Sequence, residues 1–170
     1  RSVHESCPAT KFIVSGFSQG AVIAGDVADE IGGGQGAVPA ESIAGVALIA
    51  DGRRQNGVGQ NPGRKVGGVG AEIALQPVSG LVQPIVPGAS MRGARPNGFG
   101  SLADRTFQIC APNDSVCDAP PNVSNALERA QGLIAANGVH AQYASNSGVI
   151  DGTTANQWVV GWARQLIDAA

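Results

Sequence analysis

The stretch that most constrains the fold is KFIVSGFSQGAVIAG, residues 11–25. An apolar run of strand length meets Gly16, Phe17, Ser18, Gln19 and Gly20, and the next four residues continue as a helix would. A serine between two glycines at such a junction predicts a sharp strand-to-helix turn that lifts Ser18 Oγ clear of a sheet. The glycines would leave room for strained backbone and for an approaching substrate. The bland alternative is a glycine-rich turn without chemistry. With 25 glycines in 170 residues, Gly-x-Ser-x-Gly arises by chance in about one chain in four. The pentapeptide therefore needs support from the rest of the sequence.

The segments KFIVSG, SIAGVALIA and RTFQIC read as short buried strands, apolar without alternation, each followed by turn residues or a helix. That order predicts an α/β fold with a mainly parallel sheet. A first helix is expected over 19–31, stopped by Gly32, Gly33 and Gly34. Another is expected over 122–137, with Val123, Ala126, Leu127, Ala130, Leu133 and Ile134 on one face and Gly138 as its stop. The last would start near Thr153 or Thr154 and bury Trp158, Val159, Trp162 and Leu166. Residues 52–103 break the pattern, and long irregular segments inside compact domains are usually functional or mobile. Their apolar part, 73–87, reads either as a lid or lipid-contact surface or as packing beside the core. GGVGAE and GVGQNPG miss both nucleotide-loop fingerprints.

A length of 170 residues with 43% hydrophobic content suits one domain that buries its own core. A net charge of -2 gives no basic surface for nucleic acid. No apolar run reaches the length of a membrane span. Cys110 and Cys117 enclose APNDSV, a spacing wrong for zinc pairs but short enough for a local disulfide. Closing that loop would contribute about 2.5 kcal/mol by chain entropy, and oxidation implies an exported protein. Cys7 is left over, as a buried thiol or with a partner outside this chain. The sequons at Asn113 and Asn122 are read as chance.

A serine nucleophile needs a base, and the base an orienting acid. The histidines are His4 and His140. In this kind of sheet the chain order is Ser, acid, His, which selects His140. Asp26 and Asp29, along the helix after the turn, are read as solvated, and Asp151 follows the histidine. The acid is then Asp51 or Asp114, each after an apolar strand, where open α/β sheets bind ligands. Asp51 opens DGRR, where a turn aspartate before Gly52 is a common structural device. Asp114 sits inside the expected Cys110–Cys117 loop, which would fix its height, and is favoured. The developing oxyanion would meet the backbone N–H of Gln19.

CPATKFIVSGFSQGA, CAPNDSVC with the acid between two cysteines, and HAQY with Tyr143 shortly after the histidine occur in that order. Together they resemble the cutinase family of serine esterases over roughly half the chain. DGRR and WVVGWARQLI bring the sequence closer to the actinobacterial members than to the compact fungal ones. The resemblance implies a small α/β hydrolase fold, a three-layer sandwich around the sheet. It also implies a secreted or cell-wall location and hydrolysis of acyl esters or lipids without metal or cofactor. In the family the cysteine matching Cys7 pairs near the amino terminus, where a residue completes the oxyanion hole. Neither is present here, so residues 1–170 are expected to be the carboxyl portion of a single domain whose earlier strand or strands lie upstream. The segment 52–103 exceeds the fungal pattern. Transfer of the acyl group to a wall glycolipid, and an inactive lipid-binding module, are the competing readings.

Overall fold

The three apolar runs do form one parallel sheet, in a computed structural model that describes residues 1–134 and 138–169. Strands β1 (Phe12–Phe17), β2 (Ile43–Ile49) and β3 (Thr106–Ile109) lie side by side in that order. The register pairs Phe17 with Ile49 and Ile49 with Ile109, so all three strands end at one level. β2 is central and covered on both faces, which is why it reads as an unbroken apolar run. Ahead of β1, where no element was expected, Ser2–Ser6 form a short helix, α1.

Helix α2 (Gln19–Gly32) follows β1 directly and ends in the glycine cluster, with Gly34 at φ 79. Its Ala21, Ala28 and Ile31 pack on one sheet face with Val46, Leu48 and Phe99. Helix α6 (Ala155–Asp168) covers the other face. There Gly45 makes room for Trp162, whose ring would stand 2.5 Å from a Cβ at that position. Thr154 caps α6 by accepting from Gln157 N at 3.2 Å, while the Gln157 side chain accepts from Thr154 N at 3.3 Å. The layers are therefore helix, sheet, helix. No helix among the described residues is long and apolar enough to cross a membrane.

Helix α5 (Ala126–Ile134) is shorter than its apolar pattern suggests. Asn122 Oδ1 accepts from Ser124 N at 3.1 Å, and Asn125 takes φ 52, so the chain turns before it can wind. Ala130 and Leu133 point inward as expected, whereas Val123 and Leu127 are exposed. The expected end at Asn137 lies outside the described residues.

The segment 52–103 contains α3 (Ala71–Ala74), α4 (Ser79–Val82), a one-turn 3-10 stretch at Gln76–Val78 and the start of a longer one at Gly100–Arg105. Leu75 and Val82 pack with Met91 and Ala130, which favours packing beside the core for much of 73–87. Charged groups fasten the segment to α2. Arg95 donates to Asp51 at 2.6 and 3.0 Å, to Asp26 at 3.0 Å and to the Val22 carbonyl at 3.1 Å. Burial disfavours the Arg95 cation, but Asp51 and Asp26 outweigh it and its pKa is raised. Gly25 is needed because a Cβ there would meet Arg95 Nη2 at 2.3 Å. Arg53 bonds Asp26 at 2.8 Å and the carbonyls of Gly93 and Ala94 at 2.8 and 3.0 Å. Asp29, buried, accepts from Phe99 N at 2.9 Å. Asp26 and Asp29 are thus anchors rather than solvated charges: they face a segment distant in sequence that carries the matching donors.

Candidate active site

Ser18 caps α2 with φ 54 and ψ -121, a conformation unusual for a residue with a side chain. Its N–H donates to the Ile49 carbonyl at 2.8 Å, locking the turn to β2. Gly16 is required by close approach, since a Cβ there would stand 2.3 Å from the Gly20 carbonyl oxygen. Gly20 faces open space, so the second glycine of the motif answers no contact within the fold.

Ser18 Oγ lies 2.8 Å from His140 Nε2, and His140 Nδ1 lies 2.9 Å from Asp114 Oδ2. The tautomer that satisfies both contacts carries its proton on Nδ1 and accepts the Ser18 hydroxyl at Nε2. Ser18 follows β1, Asp114 follows β3, and His140 opens the 3-10 turn His140–Gln142. Residues 122 positions apart thus meet at the common strand end.

Asp114 has no exposure. A buried carboxylate must be hydrogen-bonded, and this one also accepts from Val116 N at 2.9 Å and from the Tyr143 hydroxyl at 2.7 Å. The Tyr143 oxygen accepts in turn from Ala111 N at 2.9 Å. Burial first, then the negative Asp114, raise the Tyr143 pKa well above the ordinary phenol, so it stays a donor. The disulfide joins Cys110 and Cys117 as expected, closing the loop that carries the acid. Arg54, from DGRR, grips the same loop through the Cys117 carbonyl at 2.8 Å and also bonds the Gly68 carbonyl. Burial lowers its pKa against the pull of Asp118 and Asp51. Asp51 is committed to Arg95 and does not orient His140. His4 sits elsewhere, its Nδ1 3.4 Å from Ser42 Oγ. Cys7 is exposed and unbonded to the other cysteines, which removes the buried-thiol reading.

Ser18 and Gln19 open into a cleft of about 680 Å³. Val22 and Ile23 of α2 form one wall, and Val86 and Met91 of the segment 52–103 another. At its rim Arg92 bridges Glu72 at 3.2 Å and Asp26 at 2.6 Å. Sequence reasoning reached Val86 only through the alternative of a lipid-contact surface over 73–87 and missed Met91, because irregular chain carries no period. The one available signal was the run of apolar residues ending at Pro87.

A serine on a strand-to-helix elbow, with acid and base on loops at the same sheet end, defines an α/β hydrolase. The chain belongs to the cutinase family, whose family model matches residues 1–161. It is 65% identical over 167 residues to a carboxylesterase Culp6 homolog of Corynebacterium glutamicum. That match covers 98% of this chain and 54% of the relative, so the chain spans about half the relative's length. A cutinase-like protein from Cryptococcus sp. shares the fold with a TM-score of 0.57 at 23% identity, over 97% of this chain and 65% of the other.

Proposed function

We propose that this chain is the catalytic unit of an exported serine ester hydrolase. The observation that carries the reading is the unbroken hydrogen-bonded line from Ser18 Oγ through His140 to buried Asp114, beside a cleft with apolar walls and a charged rim. Ser18 Oγ attacks the acyl carbon of an ester while His140 Nε2 takes the hydroxyl proton. The Gln19 N–H receives the oxyanion of the tetrahedral adduct. Collapse breaks the bond to the alcohol, which leaves with the proton from His140. Water activated by His140 then adds to the acyl-enzyme, and the acid departs from Ser18. Asp114 holds the imidazole and stabilises its charged form.

The walls of the cleft suit an acyl chain, and its size lies within the ~300–1,000 Å³ usual for small-molecule sites. The Cys110–Cys117 bond supports an oxidising location, outside the cell or in its wall. Ser18→Ala in the full-length protein should lower turnover of a short-chain nitrophenyl ester by at least about 10,000-fold. Turnover equal to wild type would overturn the proposal.

A further inference from the structure

The imidazole of His140 meets Asp114 at Nδ1, 2.9 Å from Oδ2 and 3.1 Å from Oδ1, and Ser18 Oγ at Nε2, 2.8 Å away. These contacts all lie at the ring edge, so the tilt of the imidazole plane also depends on what lies against its face. Rocking tilts both bonds, and hydrogen bonds weaken steeply once their angle closes.

Phe17 lies against that face, while Tyr143 meets the imidazole edge-on at 6.3 Å. The Phe17 ring stacks on the imidazole with centroids 5.0 Å apart and planes inclined by 27°. It also meets Tyr143, the donor to Asp114, edge-on at 5.7 Å. Ordinary burial does not account for this residue. Phe17 is 46% exposed and belongs to none of the buried apolar clusters among the described residues. The elbow explains how it arrives, since Phe17 is joined by one peptide bond to Ser18 and the turn that presents the nucleophile also brings the ring to the base. When His140 takes the Ser18 proton it becomes a cation, and an aromatic face attracts a cation. The contact therefore strengthens as the reaction proceeds.

We propose that Phe17 is a positioning residue for His140, keeping the imidazole in the plane that joins Ser18 to Asp114 and favouring its charged form. The proposal rests on the serine hydrolase reading above. It is tested in the full-length chain with wild type, Phe17→Leu, which keeps the apolar bulk and removes the ring, and Phe17→Tyr, which keeps the ring. The readouts are the rate of Ser18 labelling by a fluorophosphonate probe, kcat and KM on a nitrophenyl butyrate ester, and the melting point. Phe17→Leu should slow labelling and lower kcat by about 10-fold while KM stays within about twofold. Phe17→Tyr should restore both, and the melting point should hold throughout because the ring is already half exposed. Wild-type labelling and kcat in Phe17→Leu would overturn the proposal, as would a loss that tracks the melting point or one that Phe17→Tyr shares. A wild-type chain that the probe leaves unlabelled would overturn the hydrolase reading and this proposal with it.

Discussion

Tyr143→Phe removes a single oxygen from the polar cluster that holds the acid. That oxygen belongs to a residue 3% exposed, and it donates to Asp114 Oδ2 at 2.7 Å while accepting from Ala111 N at 2.9 Å. Without it the buried Ala111 N–H loses its acceptor, a cost of about 1–3 kcal/mol. The Asp114 carboxylate loses a charge-assisted bond worth about 1.5–3 kcal/mol. Both losses share one atom and do not simply add, so about 3 kcal/mol is expected. For a chain of this size that lowers the melting point by roughly 6–12 °C. Activity should move less, because Asp114 Oδ1 keeps the Val116 N–H at 2.9 Å and the disulfide still closes the loop. A kcat about 10-fold below wild type, near 1.4 kcal/mol, is the expected outcome. Thermal unfolding and turnover well below both transitions measure the two effects. An unchanged melting point would refute the double hydrogen-bonding role, and a kcat as low as that of Asp114→Ala would refute the claim that Val116 and the disulfide keep the acid in place.

The same hydroxyl has a pH signature whose sign follows from its environment. Burial, then Asp114, raise its pKa above the ordinary 10.0, so the folded chain holds the phenolic proton to higher pH than the unfolded chain does. Stability from this group is fully present below about pH 10 and is lost as pH climbs above it. The stability gap between wild type and Tyr143→Phe should therefore narrow from about pH 9 to pH 11. Because the chain has 1 tyrosine, tyrosinate absorbance should appear only as the protein unfolds. Tyrosinate formed in the folded state at about pH 10 would contradict this.

The two motif glycines should respond oppositely. Gly16→Ala forces α2 off β1 and should cost about 3 kcal/mol or more, whereas Gly20→Ala should melt at or slightly above wild type, with up to about 1 kcal/mol from helix propensity. Chemical denaturation checks both, and equal losses would refute the steric distinction. Of the two candidate acids, Asp114→Asn should lower kcat by about 1,000- to 10,000-fold, while Asp51→Asn should destabilise by about 3 kcal/mol and leave kcat of the folded fraction near wild type. Removing both Cys110 and Cys117 should cost about 2.5 kcal/mol in the same assay.

What was legible in the sequence was local or forced by scarcity. The elbow showed because a strand ends, a serine stands between glycines and a helix begins within a few residues. His140 stood out because the alternative, His4, precedes the nucleophile, and Asp114 because two cysteines bracket it. What stayed hidden needed partners from distant chain. Asp29 looks solvated on a helical wheel, yet its partners Asn97 and Phe99 lie 68 and 70 residues away. The 3.6-residue period finds an apolar face at Val123 and Leu127 but cannot say whether anything covers it, and here both are exposed. Gly20 marks the opposite error, a motif position with no contact in the fold to explain it.

On the proposed function, those distant contacts also shape what the site can select. Asp26 projects from α2, the helix whose first residue offers the Gln19 N–H, and it binds Arg53, Arg92 and Arg95 at 2.8, 2.6 and 3.0 Å. The three arginines belong to the segment that supplies Val86 and Met91 to the facing wall of the cleft. Surface ion pairs contribute little singly, but here a buried Arg95 and a buried Asp51 make the cluster a fixed joint. The segment 52–103 is irregular in sequence yet tied to α2 from both ends, by Arg53 at one and by Arg92 and Arg95 at the other, so the wall facing Ser18 is fastened to the helix that carries Gln19. On the proposed mechanism, Asp26→Ala should therefore change both acyl-chain preference and kcat, read as kcat/KM across nitrophenyl esters of increasing chain length, although Asp26 touches no reacting group; an unchanged preference would refute the coupling.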